Sequence, residues 1–288
     1  MKDELLKALE FLKHDLKMEE DAADLYGRQA DEVKEGWLKK ILLKNKADEE
    51  LHVEEFKYAI ERIEYSAIHP RLSTGIDELD DILYGGIPKE YSVLLSSPPW
   101  DEKDLLIERF VNTSIDRDET LLYISTKPRM NILQLTVKHP ENLYLLSCGS
   151  DILPDEPNIF VLEDVEDLTQ FNITLEKILK EIKLKDKGLQ RIFLDIIPDV
   201  LLNHSTATVR RWLRELLTRF KAIHGTILSA LDTGMHSEEE NRLVIDLFDG
   251  HLSLEEKKVD SKELKVLRVK RLYGMKYLER DLEIKKDL

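Results

Sequence analysis

RLSTGIDELDDILYGGIPKEYSVLLSSPPWDEKDLL, residues 71–106, is the stretch on which the reading of the fold turns. Its first half is rich in turn formers (Gly75, Gly85, Gly86, Pro88). YSVLL (91–95) is a continuous apolar, β-prone run, and LLIERFV (105–111) has helical spacing. Strand, proline-containing loop, lysine and helix together make the frame of a phosphate-binding loop. In the motif GxxxxGK[ST], glycines let backbone N–H groups wrap the phosphates. The lysine neutralises the terminal oxygens, and the hydroxyl that follows it ligates magnesium. In SSPPWDEKDLL (96–106), Lys103 stands at the lysine position and Ser97 at the first glycine. Glu102 replaces the second glycine, Asp104 replaces the hydroxyl, and Trp100 and Asp101 lie in the loop. Repulsion of a phosphate by each nearby carboxylate is on the order of a kcal/mol or more, even screened. Residues with a Cβ also resist the positive-φ conformations that glycine adopts freely. An ordinary ATP site is not expected here.

Downstream, short β-rich runs alternate with helical patterns. The runs are TLLYIS (120–125), NLYLLS (142–147), NIFVLE (158–163), RIFLDII (191–197), GTILSAL (225–231), VIDLFDGHLSL (244–254) and LKVLRVKRLY (264–273). Helical spacing fills 103–115, 169–185 and 206–223. Apolar strands alternating with helices predict an α/β unit around a mostly parallel central sheet flanked by helices. The last two runs lack an intervening helix and are expected to pair as a hairpin. Upstream, SAIHPR (66–71) breaks a helical pattern, with Pro70 marking the boundary. The expected organisation is a helical hairpin over 1–65 followed by an α/β domain over 71–288.

The segment RLSTGIDELDDILYGGIPKEYSVLLSSPP resembles the opening of KaiC-like proteins in the RecA superfamily. It keeps Thr74, Gly75, Ile76, Leu79, Asp80, Leu83, Gly85, Gly86, Ile87 and Pro88. RIFLD is similar to the Walker B strand and ends in Asp195. VRRWLRELLTRFK (209–221), GTILSAL, DLFDGHLSL and VKRLYGMKY (269–277) follow in the family's order. The resemblance spans about residues 71–285 and implies a RecA-type fold with nucleotide chemistry at the loop. The departures lie at that chemistry. Thr126, Lys127 and Pro128 stand where the family places acidic residues, including a catalytic glutamate. Ile196 follows Asp195 where a serine is usual, and Tyr273 stands where a basic residue reaches a neighbouring subunit's nucleotide. The expectation is a scaffold or regulator that has lost ATP hydrolysis, with Lys103 and Asp195 as remnants of the nucleotide site. ATP is not an expected cofactor; weak anion binding at Lys103 and Lys127 stays open.

Residues 3–34 and 36–64 both carry helical periodicity, with Gly36 as the turn between them. Leu5, Leu9, Leu12, Leu16, Glu19, Ala23, Tyr26, Ala30 and Val33 form one seam. Leu38, Leu42, Asn45, Glu49, His52, Phe56, Ala59 and Ile63 form the other. Glu19, Glu49 and His52 occupy places that should be apolar, and ionisable groups there call for partners or a metal. Glu49-x-x-His52 sets both side chains on one face, a turn apart, as in carboxylate-bridged di-iron bundles. The stretch from Glu19 through Tyr26, with DEELH (48–52), is similar to ferritin and rubrerythrin. That resemblance implies Glu19, Glu49 and His52 as iron ligands, with Tyr26 behind them. Two helices make half of such a site, so the resemblance also implies a homodimer through the hairpin. That dimer would cover a second flank including Ile41, Leu51 and Ile60.

The chain has 288 residues, 42% of them hydrophobic, and a net charge of −15. That balance argues against nucleic acid or an anionic membrane as the main partner. The group Arg210, Arg211, Arg214, Arg219 and Lys221 is read as a solvated helix face. A single cysteine, Cys148, excludes an internal disulfide framework. The charged N-terminal stretch and the lack of a spanning apolar run lead us to expect a cytoplasmic protein. Charged residues at 35% suit a thermophile. His204, His224, His236 and His251 share no ligand spacing and are expected in loops or on the surface. Ser97 has no evident His/Asp partner for nucleophilic chemistry. Two other function classes compete with the scaffold: a di-iron oxidase or peroxidase, and an active RecA-type ATPase with an unusual loop.

Overall fold

Long proline-free periodicity becomes two helices, α1 (Lys2–Glu32) and α2 (Gly36–Ile68). The computed structural model describes residues 2–149, 153–185, 188–259 and 262–284. The chain divides into two compact units, Met1–Pro70 and Arg71–Leu288. In the first, ion pairs Lys13–Glu64 (2.7 Å), Lys57–Glu20 (3.5 Å) and Lys39–Asp31 (3.9 Å) fix an antiparallel register. Ala23, Ala30, Val53 and Ile60 are buried, and the small alanines let the two backbones approach closely. Most other seam residues are half-buried, while Leu5, near the helix start, is exposed. The turn falls at 33–35, and Gly36 is already the first residue of α2. Ile60, expected on the outer flank, is instead buried on the same face as Val53, whereas Ile41 and Leu51 are exposed. The helix ends before Pro70 because a residue preceding proline disfavours the helical conformation.

The second unit begins with a small ribbon, β1 (Arg71–Leu72) against β2 (Ile87–Pro88), enclosing α3 (Asp77–Ile82). Then come β3 (Ser92–Ser97), α4 (Asp101–Asp116), β4 (Thr120–Ser125), α5 (Met130–Lys138), β5 (Leu143–Cys148) and β6 (Ile159–Leu162). The chain continues through α6 (Leu168–Leu184), β7 (Leu189–Asp195), α7 (Ile197–Asn203), α8 (Thr206–Ala222) and β8 (Thr226–Asp232). It closes with α9 (Glu238–Ile245), β9 (Gly250–Val259), β10 (Lys262–Leu272) and β11 (Leu282–Glu283). The sheet order is β11-β10-β9-β3-β8-β7-β4-β5-β6. Every pairing from β9 to β6 is parallel, and β9–β10 and β10–β11 are antiparallel. The strands are continuous apolar runs because both faces are covered. Val93, Leu95, Leu121, Tyr123 and Phe193 pack on the α4 side. Leu94, Leu122, Ile124, Ile192 and Leu194 pack on the side of α6 and α8.

The expected strand 244–254 is corrected. Val244 and Ile245 end α9, and the strand begins only at Gly250. A capping box, Ser237 with Glu240, starts that helix and offsets its short length. The motif residues around α3 act as a frame. Buried Asp80 accepts hydrogen bonds from the Thr74 N–H (2.7 Å), the Thr74 hydroxyl (2.7 Å) and the Ser73 hydroxyl. Gly75 has φ +85, and a Cβ there would lie 2.6 Å from the Arg109 carbonyl oxygen. Gly86 has φ +118, and a Cβ would lie 2.3 Å from the Leu72 carbonyl oxygen. Only glycine fits either position. Arg191, fully buried, joins the frame to the sheet. It donates to Glu119 and to the Ser73 carbonyl (2.8 Å) and lies over the Phe110 ring.

Candidate functional site

The parallel strands β3, β4, β7 and β8 end together, and the loops after them form the place where α/β sheets bind ligands. The loop after β3 is short, because α4 already begins at Asp101. Pro98 and Pro99 remove two N–H donors from it. The Trp100 N–H donates to the Pro98 carbonyl (2.7 Å), and the Lys103 N–H to the Trp100 carbonyl (3.2 Å). No residue from 96 to 104 has positive φ. The left-handed turns that aim successive N–H groups at one anion are therefore missing from this loop. Glu102, at the second glycine position, is only 4% exposed and takes a 2.8 Å bond from Lys265 of β10. The Lys265 ammonium also lies 4.7 Å from the centre of the Trp100 ring. Asp104, at the hydroxyl position, pairs with Arg129.

Lys103 is half-buried, as is Asp195 at the end of β7. Burial pushes the Asp195 carboxyl upward, and the charges of Lys103 and Arg129 oppose that push. Lys103 and Asp195 thus share one electrostatic environment. Burial likewise raises Asp104, with Arg129 and Lys103 pulling it back. Tyr123 of β4, opposite Phe193 of β7, is buried, and its hydroxyl has no hydrogen-bond partner among the described residues. Burial, then the Asp195 charge, drives its pKa far above the ordinary tyrosine value. Thr126, which stands where the resembled family places an acidic residue, donates to Asp199 at 2.7 Å. Tyr273 is exposed, with the Arg271 guanidinium 4.4 Å from its ring centre.

Sequence reasoning missed three members of this region. Lys265 stands far from Glu102 in the chain, and no local pattern could join them. Arg129 carried no motif. His251, expected in a loop or on the surface, sits in β9 with its Nε2 2.8 Å from the Ser96 hydroxyl. Burial, then Arg271 and Lys270, lowers it to about 4, so it is neutral near pH 7. Ser97 donates its hydroxyl to the Pro98 carbonyl.

In the hairpin, one ligand atom from each of Glu19, Glu49 and His52 lies within 4.8 Å of the other two. His52 Nδ1 is 3.1 Å from Glu49 Oε2 and 3.8 Å from Glu19 Oε1. The hydrogen bond that protonated Glu19 donates to Glu49 is the largest influence raising Glu19; burial and the Glu49 charge add to it, and His52 opposes. The two glutamates are half-buried and His52 is exposed. Tyr26, two turns beyond Glu19, makes no hydrogen bond with these side chains among the described residues. Two carboxylates and an imidazole are a donor set suited to iron, and facing carboxylates that share a proton can exchange it for a cation.

A parallel sheet with a strand–loop–helix unit at its centre and an aspartate two strands away defines a RecA-type nucleotide fold. The family model described as "ATPase: KaiC" matches residues 72–285, and the chain belongs to that family. It is also similar to UPF0273 protein PF1931 of Pyrococcus furiosus, at 25% identity over 145 residues, covering 46% of this chain and 57% of the relative. UPF0273 protein PH0284 of Pyrococcus horikoshii is 25% identical over 152 residues, with the same coverage of 46% and 57%. The chain thus spans a little over half the length of these curated relatives. The family match begins after α2. No helix among the described residues is long and apolar enough to cross a membrane.

Proposed function

We propose that residues 71–288 form a KaiC-like domain that no longer hydrolyses ATP and serves as a scaffold or regulator. The observation that carries this reading is the fate of Glu102. In place of a glycine that would open the loop to phosphate stands a buried carboxylate, bonded to Lys265 beneath the Trp100 ring. The missing magnesium hydroxyl and the neutral Thr126 support the same reading. Lys103 and Asp195 are then structural leftovers that partly compensate each other's charge. Purified protein should show no magnesium-dependent ATP turnover. A robust rate abolished by Lys103→Ala would overturn the proposal and favour the active ATPase.

A second reading rests on the hairpin. Glu19, Glu49 and His52 would hold iron, with the same residues of a second copy completing a di-iron site across a homodimer. The convergence of their ligand atoms within 4.8 Å supports it. Bound iron would supply redox chemistry toward oxygen or peroxide, while Glu19 and Glu49 would exchange their shared proton for the metal. Aerobically loaded protein should carry about one iron per chain and sediment as a dimer. Glu49→Ala with His52→Ala should remove the iron. Loaded wild-type protein that stays iron-free would sink this reading, and vigorous peroxide consumption would favour the oxidase or peroxidase over the regulator.

A further inference from the structure

The basic residues of α8 divide into two groups. Toward its end, Arg219 pairs with Glu176 (3.3 Å) and Lys221 with Asp249 (2.7 Å). In its first half, Arg210, Arg211 and Arg214 are exposed and have no ion-pair partner among the described residues. The sequence holds 58 acidic residues against 43 lysines and arginines, so carboxylate partners are in surplus. These arginines nevertheless sit together, spaced by one and three residues, with their charges mutually unfavourable. The opposite face of α8, from Val209 through Trp212, Leu213 and Leu216, is buried in the core. The free arginines, with Ala207, Glu215 and Leu243 of α9, line an open groove. The groove lies wholly within the α/β unit.

Guanidinium groups bind carboxylates in pairs of parallel hydrogen bonds, and weak hydration lets them do so beside apolar surface. A complementary ligand carries carboxylates and has aliphatic side chains to set against Ala207 and Leu243. A nucleic acid strand fits less well. No aromatic residue lines the groove to stack a base, and a chain of net charge −15 repels a long polyanion. We propose that this groove docks an acidic, leucine-containing segment of a partner protein. The charge of the rest of the chain then aids selectivity, because an acidic segment is attracted here and repelled elsewhere.

Fluorescence anisotropy on the full chain tests the proposal, with a fluorescein-labelled peptide of glutamates and leucines at helical spacing. Saturable binding is expected, and R210E/R211E/R214E should weaken it by at least about tenfold. The control K177E/K180E/K183E makes the same change in net charge on α6 and should leave the affinity unchanged. Equal loss in both triple variants would reduce the effect to net charge and overturn the proposal. So would absence of saturable binding, or tighter binding of a single-stranded oligonucleotide at the same arginines. All six positions are exposed, and matching thermal melts establish that each variant is folded.

Discussion

The frame around Asp80 and the loop around Lys103 lie on either side of β3 in the same unit, and they depart from the family pattern very differently. The frame keeps every residue that carried the resemblance. Three of them have a plain structural duty: a positive φ at Gly75 and Gly86, and bonds to a buried carboxylate at Thr74. The loop keeps Lys103 but replaces both glycines and the hydroxyl, which are needed only if a phosphate is bound. Folding constrains the first region whatever the protein does. The second is constrained by chemistry, and on the reading proposed above that constraint has lapsed.

This contrast can be broken by substitution. The largest effect is expected from Gly86→Ala, where the new Cβ meets the Leu72 carbonyl at 2.3 Å on a backbone of φ +118. The loss should be about 3 kcal/mol or more in urea unfolding, whereas Ser97→Gly should cost far less. A tolerated Gly86→Ala would mean that the frame persists for some reason other than folding.

Next comes Lys265→Met. It removes the ammonium 2.8 Å from the buried Glu102 carboxylate, although the 30% exposure of Lys265 moderates the cost. About 2 kcal/mol should be lost, and Glu102→Gln in the same chain should recover part of it. Additive losses in the double variant would show that the pair does not hold the loop.

The smallest effect concerns Asp195. Burial raises its carboxyl, so the folded state binds the proton more tightly than the unfolded chain does. Its ionisation therefore lowers stability as pH climbs from the ordinary aspartate value through the raised one. Asp195→Asn should melt a few degrees higher than wild type at neutral pH, and the gap should close as pH falls toward the ordinary value. A variant less stable at neutral pH would show instead that the charge is held for a purpose, with Lys103 and Arg129 as its partners.

How much of this was legible depended on the range of the interaction. TLLYIS could be bounded correctly as β4 because a strand buried on both faces is a continuous apolar run. Periodicity gave the seam of α1 but that of α2 only in part, since the buried Val53 and Ile60 lie outside it and His52 is exposed. The structure nevertheless brings Glu19, Glu49 and His52 together. Tyr26 shares the seam but not the hydrogen bonds, since position on a helix face fixes direction and not reach. α3, α5, α7 and α9 escaped notice because short helices carry too few turns to establish a period, and VIDLFDGHLSL merged a helix end with a strand start. Arg191 with Glu119, Glu102 with Lys265 and Ser96 with His251 are pairings across the fold. Local spacing holds no trace of such pairs.

The ring that overhangs Lys265 gives the molecule an optical property. Trp100 is one of three tryptophans, with Trp37 and Trp212 placed elsewhere. With those two changed to phenylalanine, emission would come from the loop alone, and the nearby ammonium would set its colour and intensity. Any bound anion or peptide that draws Lys265 away would register as a spectral shift without any label. Trp100 thereby makes the loop after β3 the easiest part of the protein to watch.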